Sequence, residues 1–292
     1  MKIIITGSLG NIGKPLTKNL VAAGHEITVI SSNPARTADI ENLGAKAQIG
    51  SVTDADFLKQ AFNGADAVFA MTPPNLGGSN VISNTINAGK AYANAIQESG
   101  VNRVVMLSSI GADFPGGTGP ITGLHHIEQL YQDLNDVAVT FLRAGFFYTN
   151  FYNDVPLIKA AGIIGANYPA DISAPLVHPT DIAVAAAEEL QRTSAGKDIK
   201  YIVSDVRQPA DFAKVLGAAI GKPELPWVEF TDEQSLQGMT QAGIPEEIAG
   251  LYTEMGNAFR TGKLSKDFQK SGSPVNGNTK LEDFAKEFAA KF

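Results

Sequence analysis

Lys2-Ile3-Ile4-Ile5-Thr6-Gly7-Ser8-Leu9-Gly10-Asn11-Ile12-Gly13 is the stretch on which the reading of this chain turns. Its first part is a short apolar run of β-branched residues, the composition of a buried strand. Ile12, Leu16 and Leu20 then recur every fourth residue, the stripe of a helix packed on a sheet. Pro15 falls in the first turn of that helix, where its missing N–H costs nothing. The glycines therefore lie between a strand and a helix. In that place they permit a sharp turn and a close approach of backbone to a pyrophosphate, whose charge meets free N–H groups and the positive end of the helix dipole. Gly7, Ser8, Gly10, Asn11, Ile12 and Gly13 are the expected pyrophosphate contacts. The bland alternative is a glycine-rich turn that only connects.

Working outward, short apolar runs follow at 26–30, 45–49, 67–70, 103–107 and 137–142, with helical patterns at 55–62, 79–98 and 121–134 between them. Strands alternating with helices predict an α/β fold built on a doubly wound, parallel Rossmann-type sheet. Past Phe151 the alternation loosens, and 199–203 reads as one more strand of the same sheet. The expected division is a dinucleotide-binding domain over 1–150, joined by 175–207, and a smaller C-terminal substrate lobe from 151–174 and 208–292. Within that lobe 245–260 and 281–292 read as amphipathic helices, the first opened by Pro245 and the second capped by Thr279. His178 is expected to fix the chain before a helix capped by Thr180 or Asp181.

Ligands of such sheets bind beyond the carboxyl ends of the strands. Candidate residues therefore lie at 7–13, 31–36, 51–52, 71–74, 108–111 and 145–150. An NAD-selective site carries an acidic residue about 20 positions beyond the glycines, to accept a bond from the ribose 2′-hydroxyl. Here that place reads Ser31-Ser32-Asn33-Pro34-Ala35-Arg36, with no carboxylate. Nothing in it repels a 2′-phosphate, and two hydroxyls, an amide and a guanidinium can hold one, so NADPH is the expected cofactor. The alternative is that 31–34 caps the next helix and Arg36 is merely solvated.

Composition narrows the class. A chain of 292 residues hides about three quarters of its unfolded surface, enough for one α/β core and a smaller lobe. The absence of cysteine excludes a disulfide scaffold, thiol catalysis and Cys-ligated zinc. A formal net charge of −7 with scattered Lys and Arg argues against direct nucleic-acid binding. No long apolar run or leader pattern stands out, so a cytoplasmic protein without a membrane span is expected. The segment 111–123, rich in Gly and Pro, is the nearest thing to a linker.

Together the motifs Gly7–Gly13, Asn33-Pro34, Gly50-Ser51-Val52-Thr53-Asp54, Met71-Thr72-Pro73-Pro74, Val101-Asn102-Arg103-Val104-Val105-Met106-Leu107-Ser108-Ser109 and Leu142-Arg143-Ala144-Gly145-Phe146-Phe147-Tyr148-Thr149-Asn150 carry a family likeness. It continues through His178-Pro179-Thr180-Asp181-Ile182-Ala183 to the terminal helix. In their order and spacing these resemble the NmrA-like atypical short-chain reductases, most of all the bacterial NADPH-dependent quinone reductases. The resemblance implies that Gly7–Gly13 hold the pyrophosphate and that Ser31, Ser32, Asn33 and Arg36 meet the 2′-phosphate. It also implies that Ser51 and Val52 lie by the adenine, and that Met71, Thr72, Pro73, Ser108 and Ser109 line the ribose and nicotinamide. Relatives that prefer NADPH often have Arg where Ser32 stands and Asp where Ser51 stands.

The ordinary short-chain dehydrogenase uses a Tyr with a Lys four residues later, the ammonium lowering the phenol's pKa. Positions four after Tyr92, Tyr131, Tyr148, Tyr152, Tyr168, Tyr201 and Tyr252 hold Ile96, Asn135, Tyr152, Pro156, Ile172, Asp205 and Gly256, so the pair is absent. That weakens alcohol dehydrogenation more than reduction of a quinone, which is electrophilic enough to need little acid assistance. His126, of the pair His125-His126, and Tyr148 are the candidate proton-handling residues; Ile110, His126, Phe147, Tyr148 and Asn150 are the candidate walls for a flat substrate. Adjacent histidines point to different helix faces, so no metal site is expected. Two functions stay open at this point: hydride transfer from NADPH to a quinone or similar conjugated carbonyl, or a non-catalytic dinucleotide redox sensor acting on a protein partner.

Overall fold

The computed structural model describes residues 1–73 and 79–292; Pro74, one of the expected nicotinamide-side positions, lies outside them. Seven strands form the central sheet: β1 (Lys2–Ile5), β2 (Glu26–Ser31), β3 (Lys46–Ile49), β4 (Ala67–Ala70), β5 (Arg103–Ser109), β6 (Ala138–Ala144) and β10 (Lys197–Ile202). Their order is β10-β6-β5-β4-β1-β2-β3. Every neighbouring pair is parallel. The α/β, doubly wound expectation is therefore met, including the late strand near 199–203. The order reverses direction between β1 and β4, which opens a crevice beyond their carboxyl ends.

Alternation along the strands feeds two buried layers. Ile3 and Ile5 join Leu16 and Leu20 of α1 (Gly13–Ala22) and Ile182, Ala183, Ala186 and Leu190 of α7 (Pro179–Gln191). Ile4, Val68 and Val104 face the other way. They pack with Leu58 and Phe62 of α3 (Ala55–Phe62), Tyr92 and Ile96 of α4 (Val81–Ser99) and Ile127 and Tyr131 of α5 (Ile121–Gln132). Burial on both faces explains why these strands are almost uniformly apolar. A short α2 (Thr37–Glu41) links β2 to β3.

The remaining elements come from residues 146 onward. β7 (Phe146–Phe147), β9 (Ala174–Val177) and β11 (Asp205–Arg207) form a small sheet in the order β11-β9-β7. β8 (Ile164–Ala166) pairs with β12 (Trp227–Glu229). Phe151, Phe212, Phe284 and Phe288 anchor an aromatic cluster among α6 (Val155–Ala161), α8 (Pro209–Ala219) and α12 (Leu281–Ala289). α9 (Asp232–Gln241), α10 (Glu246–Arg260) and α11 (Lys266–Lys270) complete the chain. Residues 175–207 are thus shared, since α7 and β10 join the large sheet while β9 and β11 join the small one.

Two caps differ from the sequence reading. His178 itself caps α7, its Nδ1 accepting from the Thr180 N–H at 3.2 Å, and Asp181 is buried instead, accepting from Ser204 Oγ at 2.6 Å and Thr279 N–H at 3.0 Å. Thr279 is drawn into that contact, and Lys280 stands at the N-cap of α12.

Candidate dinucleotide site

The turn between β1 and α1 is shaped by the protein on three sides. Gly7 has φ +92°, and a Cβ there would lie 1.8 Å from Met71 Cε. At Gly13 a Cβ would lie 2.0 Å from the Ser8 carbonyl oxygen, so the helix start needs glycine for close packing against its own loop. Gly10 is different: it is exposed, and the only atom near its missing Cβ is the Gly7 oxygen at 3.6 Å. The space over Gly10 belongs to no protein atom among the described residues.

Helix-start donors follow Gly10 directly in the chain. α1 begins at Ile12 without a side-chain cap and has no acidic residue in its first turn. Among the described residues no acceptor meets the N–H groups of Asn11, Ile12 and Gly13, while Lys14 N–H is already committed to the Gly10 carbonyl at 3.1 Å. Three unpaired N–H groups at a helix start form an anion-binding concavity. A donor set of this kind could hold a dinucleotide pyrophosphate.

The flanks are built from neighbouring strands. Met71, after β4, is fixed by its N–H bond to Thr6 Oγ1 at 2.8 Å, and its carbonyl accepts from Tyr92 Oη at 3.1 Å. Thr72 is half-buried and Pro73 exposed. On the other side Ser31 is buried and its Oγ lies 3.0 Å from Ser8 Oγ, while Ser32, Asn33 and Arg36 are exposed. Asn33 caps a short 3-10 turn at Pro34–Arg36, accepting from Ala35 N–H at 3.0 Å. Arg36 reaches Asp39 at 3.4 Å, a carboxylate that the reading of 31–36 did not include. Ser51 Oγ is 2.7 Å from Thr53 Oγ1, and Val52 is half-buried against the core.

Several expected site residues have other partners. Ser108 is buried and donates to Glu128 Oε1 at 2.6 Å, and Ser109 donates to the Ile110 carbonyl at 3.0 Å. Ile110 is buried with Tyr201, Val203 and Phe268 rather than lining open space. Tyr148 is fully buried, stacked on Phe284 with ring centroids 5.3 Å apart, and donates to the Thr279 carbonyl at 3.3 Å. Burial pushes its phenol above its ordinary pKa, with the nearby Asp205 carboxylate adding to the shift, which suits a core tyrosine and not a proton donor. Phe147 is half-buried on the sheet's core and Asn150 is exposed. The structure therefore brings the glycine turn, 31–36 and Met71 together, and turns Ser108 and Tyr148 away into packing.

Sequence reasoning singled out His126, yet among the described residues His126 makes no hydrogen bond. His125 is the oriented one: its Nδ1 lies 2.8 Å from the Ala112 carbonyl, in the segment after β5. A carbonyl only accepts, so Nδ1 carries the proton and Nε2 is left to exchange one. Glu128, one turn on, is also more than it looked. It binds Arg143 through bonds of 2.6 and 3.0 Å, and Arg143 continues to Asp267 of α11 at 2.9 Å. Asp113, next to Ala112, keeps a buried Oδ1 without a partner among the described residues, and burial raises its carboxyl above its ordinary value. No spacing rule reveals these contacts. Among the described residues no cluster of His, Cys, Asp and Glu is arranged to hold a metal ion, and no helix is long and apolar enough to cross a membrane.

Residues 7–150 match the NAD(P)H-binding family. The chain is 27% identical over 301 residues to the NAD(P)H azoreductase of Xenophilus azovorans, covering 99% of each. Its fold is similar to that of the NADPH-dependent quinone oxidoreductase QOR2 from Escherichia coli complexed with NADPH, with a TM-score of 0.81, 19% identity and coverage of 98% and 99%. It is also similar to the Citrobacter sp. triphenylmethane reductase complexed with NADP(H), with a TM-score of 0.80, 21% identity and coverage of 98% and 99%. These matches bear out the reductase likeness read from the motifs. Residues 7–150 of this chain, which hold the glycine turn and its helix-start donors, carry the match to the NAD(P)H-binding family.

Proposed function

We propose that this protein is an NADPH-dependent reductase that passes hydride to a quinone or a similar flat, conjugated acceptor. The observation that carries the reading is the unpaired donor set of Asn11, Ile12 and Gly13 beside a ribose segment, 31–36, that holds no carboxylate. Full-length likeness to a protein named as an NAD(P)H azoreductase supports the acceptor class.

The bound nicotinamide supplies hydride; the chain's residues supply position. The N–H groups at 11–13 take the pyrophosphate. Ser32, Asn33 and Arg36 take the 2′-phosphate. Arg36 and Asp39 form an exposed pair, worth under about 1 kcal/mol, so Arg36 changes partner at little cost. Met71, Thr72 and Pro73 bound one side of the nicotinamide, and Ser109, Phe147 and Asn150 the acceptor side. A quinone that accepts hydride needs one proton to become the hydroquinone. His125, tethered through Nδ1, has Nε2 available to pass a proton on from solvent. Positioning and water exclusion do most of the rest. The reading as a non-catalytic sensor is not favoured, because the named full-length relative is a reductase.

The test is NADPH and NADH oxidation against a panel of quinones and azo dyes. Turnover is expected, faster with NADPH, and His125→Asn is expected to lower kcat by about tenfold while leaving dinucleotide affinity in place. A protein that binds NADPH tightly but oxidises it no faster than the uncatalysed rate with every acceptor would overturn the proposal.

A further inference from the structure

Ser8 stands in the middle of the glycine turn yet is not glycine, and its φ is +57°. A side chain in that left-handed region is strained, so something must hold it. Two contacts do, and both come from the end of β2. Ser8 N–H donates to the Ile30 carbonyl at 3.1 Å, and Ser8 Oγ meets Ser31 Oγ at 3.0 Å. Ser31 is in turn fixed from the other side: its Oγ accepts from Asn33 N–H at 3.1 Å and lies 3.3 Å from the Asn33 carbonyl. At 3% exposure it has no room to serve a ligand directly. The Ser8 carbonyl, meanwhile, packs where a Cβ of Gly13 would be, so the conformation of Ser8 sets the start of α1.

We infer that Ser31 is a positioning residue that locks Ser8 in its left-handed conformation and thereby aims the N–H groups of 11–13 at the pyrophosphate. The hydroxyl pair joins the glycine turn to the proposed ribose segment, because Ser31 is the first residue of 31–36. The role rests on the dinucleotide reading above, but it differs from contact with the 2′-phosphate. Its loss weakens NADPH and NADH alike, since both carry the pyrophosphate.

A double-mutant cycle of Ser31→Ala and Ser8→Gly, read by fluorescence titration with NADPH and with NADH, separates the possibilities. With Ser8 in place, Ser31→Ala is expected to weaken both nucleotides by roughly five- to tenfold. In the Ser8→Gly background the same change is expected to cost under about twofold, because glycine holds a positive φ without a tether. An equal loss in both backgrounds, or a loss confined to NADPH, would mean that Ser31 acts on the ligand and would overturn the inference. So would unchanged binding in Ser31→Ala. The free protein gives a second readout. The Ser8 13Cα and 13Cβ chemical shifts should report a left-handed residue in the wild type and an extended or mixed one in Ser31→Ala. Identical shifts in the two proteins would overturn the positioning role even if no nucleotide bound. Failure of the wild type to bind either nucleotide, with the Ser8 shifts moving as expected, would instead count against the nucleotide reading of the site alone.

Discussion

Gly10 marks the boundary between space the protein needs and space it leaves. Gly7 and Gly13 answer to protein atoms, Met71 Cε at 1.8 Å and the Ser8 oxygen at 2.0 Å from their missing Cβ atoms. Among the described residues Gly10 answers only to the Gly7 oxygen at 3.6 Å, an ordinary contact, and its φ is not positive. A Gly10→Ala variant should therefore be as stable as the wild type, or more so by up to about 1 kcal/mol through the stiffer unfolded chain. Its methyl group would instead occupy the room over the donors, and NADPH affinity should fall by about tenfold or more. Gly13→Ala should show the reverse order of effects, with stability lost first because backbone must move. Thermal unfolding without ligand, paired with fluorescence titration, checks both. A Gly10→Ala protein that binds NADPH like the wild type would show that the ligand does not approach there. The glycines were legible because their requirements are local. Ser108 and Tyr148 were not, because their partners, Glu128 and Thr279, come from 20 and 131 positions away.

Among the elements, the α9–α10 pair shows how the second half of the chain is held against the first. Asp232 opens α9 and receives Arg260 of α10 in two bonds of 2.9 and 3.1 Å, with Asn167 at 2.8 Å and Asn257 at 3.1 Å. α10 in turn caps α4 and ties down the turn before α5. Glu247 accepts from the N–H groups of Asn80 and Val81 at 2.6 and 2.8 Å, and Glu254 from Gly119 at 3.0 Å. The Arg260 bonds, helped by Asn167, bring the Asp232 carboxyl down to about 2. A carboxyl lowered by folding stabilises above its unfolded pKa, near 4, and that contribution disappears as pH falls through its folded value. Acid should therefore loosen α9 and α10 between about pH 4 and pH 2. In Asp232→Asn the shape is kept and the charge removed. The expected result is a lower melting temperature at pH 7, by roughly 1 kcal/mol of stability after discounting for exposure, and a flatter decline in that acid range. Urea denaturation across pH reads it; an acid limb unchanged in the variant would contradict it. Periodicity revealed α10 as a helix. It carried no sign of which N–H groups α10 would meet, since a carboxylate's partner is set by tertiary placement.

For the whole molecule, the cooperative unit exceeds the 7–150 segment that carries the family match. The alternation of strands and helices made the sheet legible, and the late strand with it, because period and turn chemistry act over a few residues. What closes the sheet is not local. α7 supplies Ile182, Ala183, Ala186 and Leu190 to the layer that buries Leu16, Leu20 and Val29. β10 gives β6 its second neighbour over six paired positions, from Lys197 with Val139 to Ile202 with Ala144. Arg103 makes the dependence sharper. It is 5% exposed on β5, and its guanidinium donates to the Glu189 carbonyl at 2.7 and 3.1 Å and to Glu189 Oε2 at 3.1 Å. Without α7 Arg103 loses every Glu189 partner together with the helix that covers it, and the apolar face made by Leu16, Leu20 and Val29 is left open to water. A fragment of residues 1–150 should consequently fail to fold, giving no near-ultraviolet dichroism and no NADPH binding, although it contains the whole glycine turn. A fragment of 1–204 keeps α7 and β10 but removes Asp267 from Arg143, and should fold with reduced stability. The full chain should unfold in urea as one transition by fluorescence and by far-ultraviolet dichroism. A monomeric, folded 1–150 that binds NADPH would show that the nucleotide domain closes on its own and that α7 and β10 are additions to it.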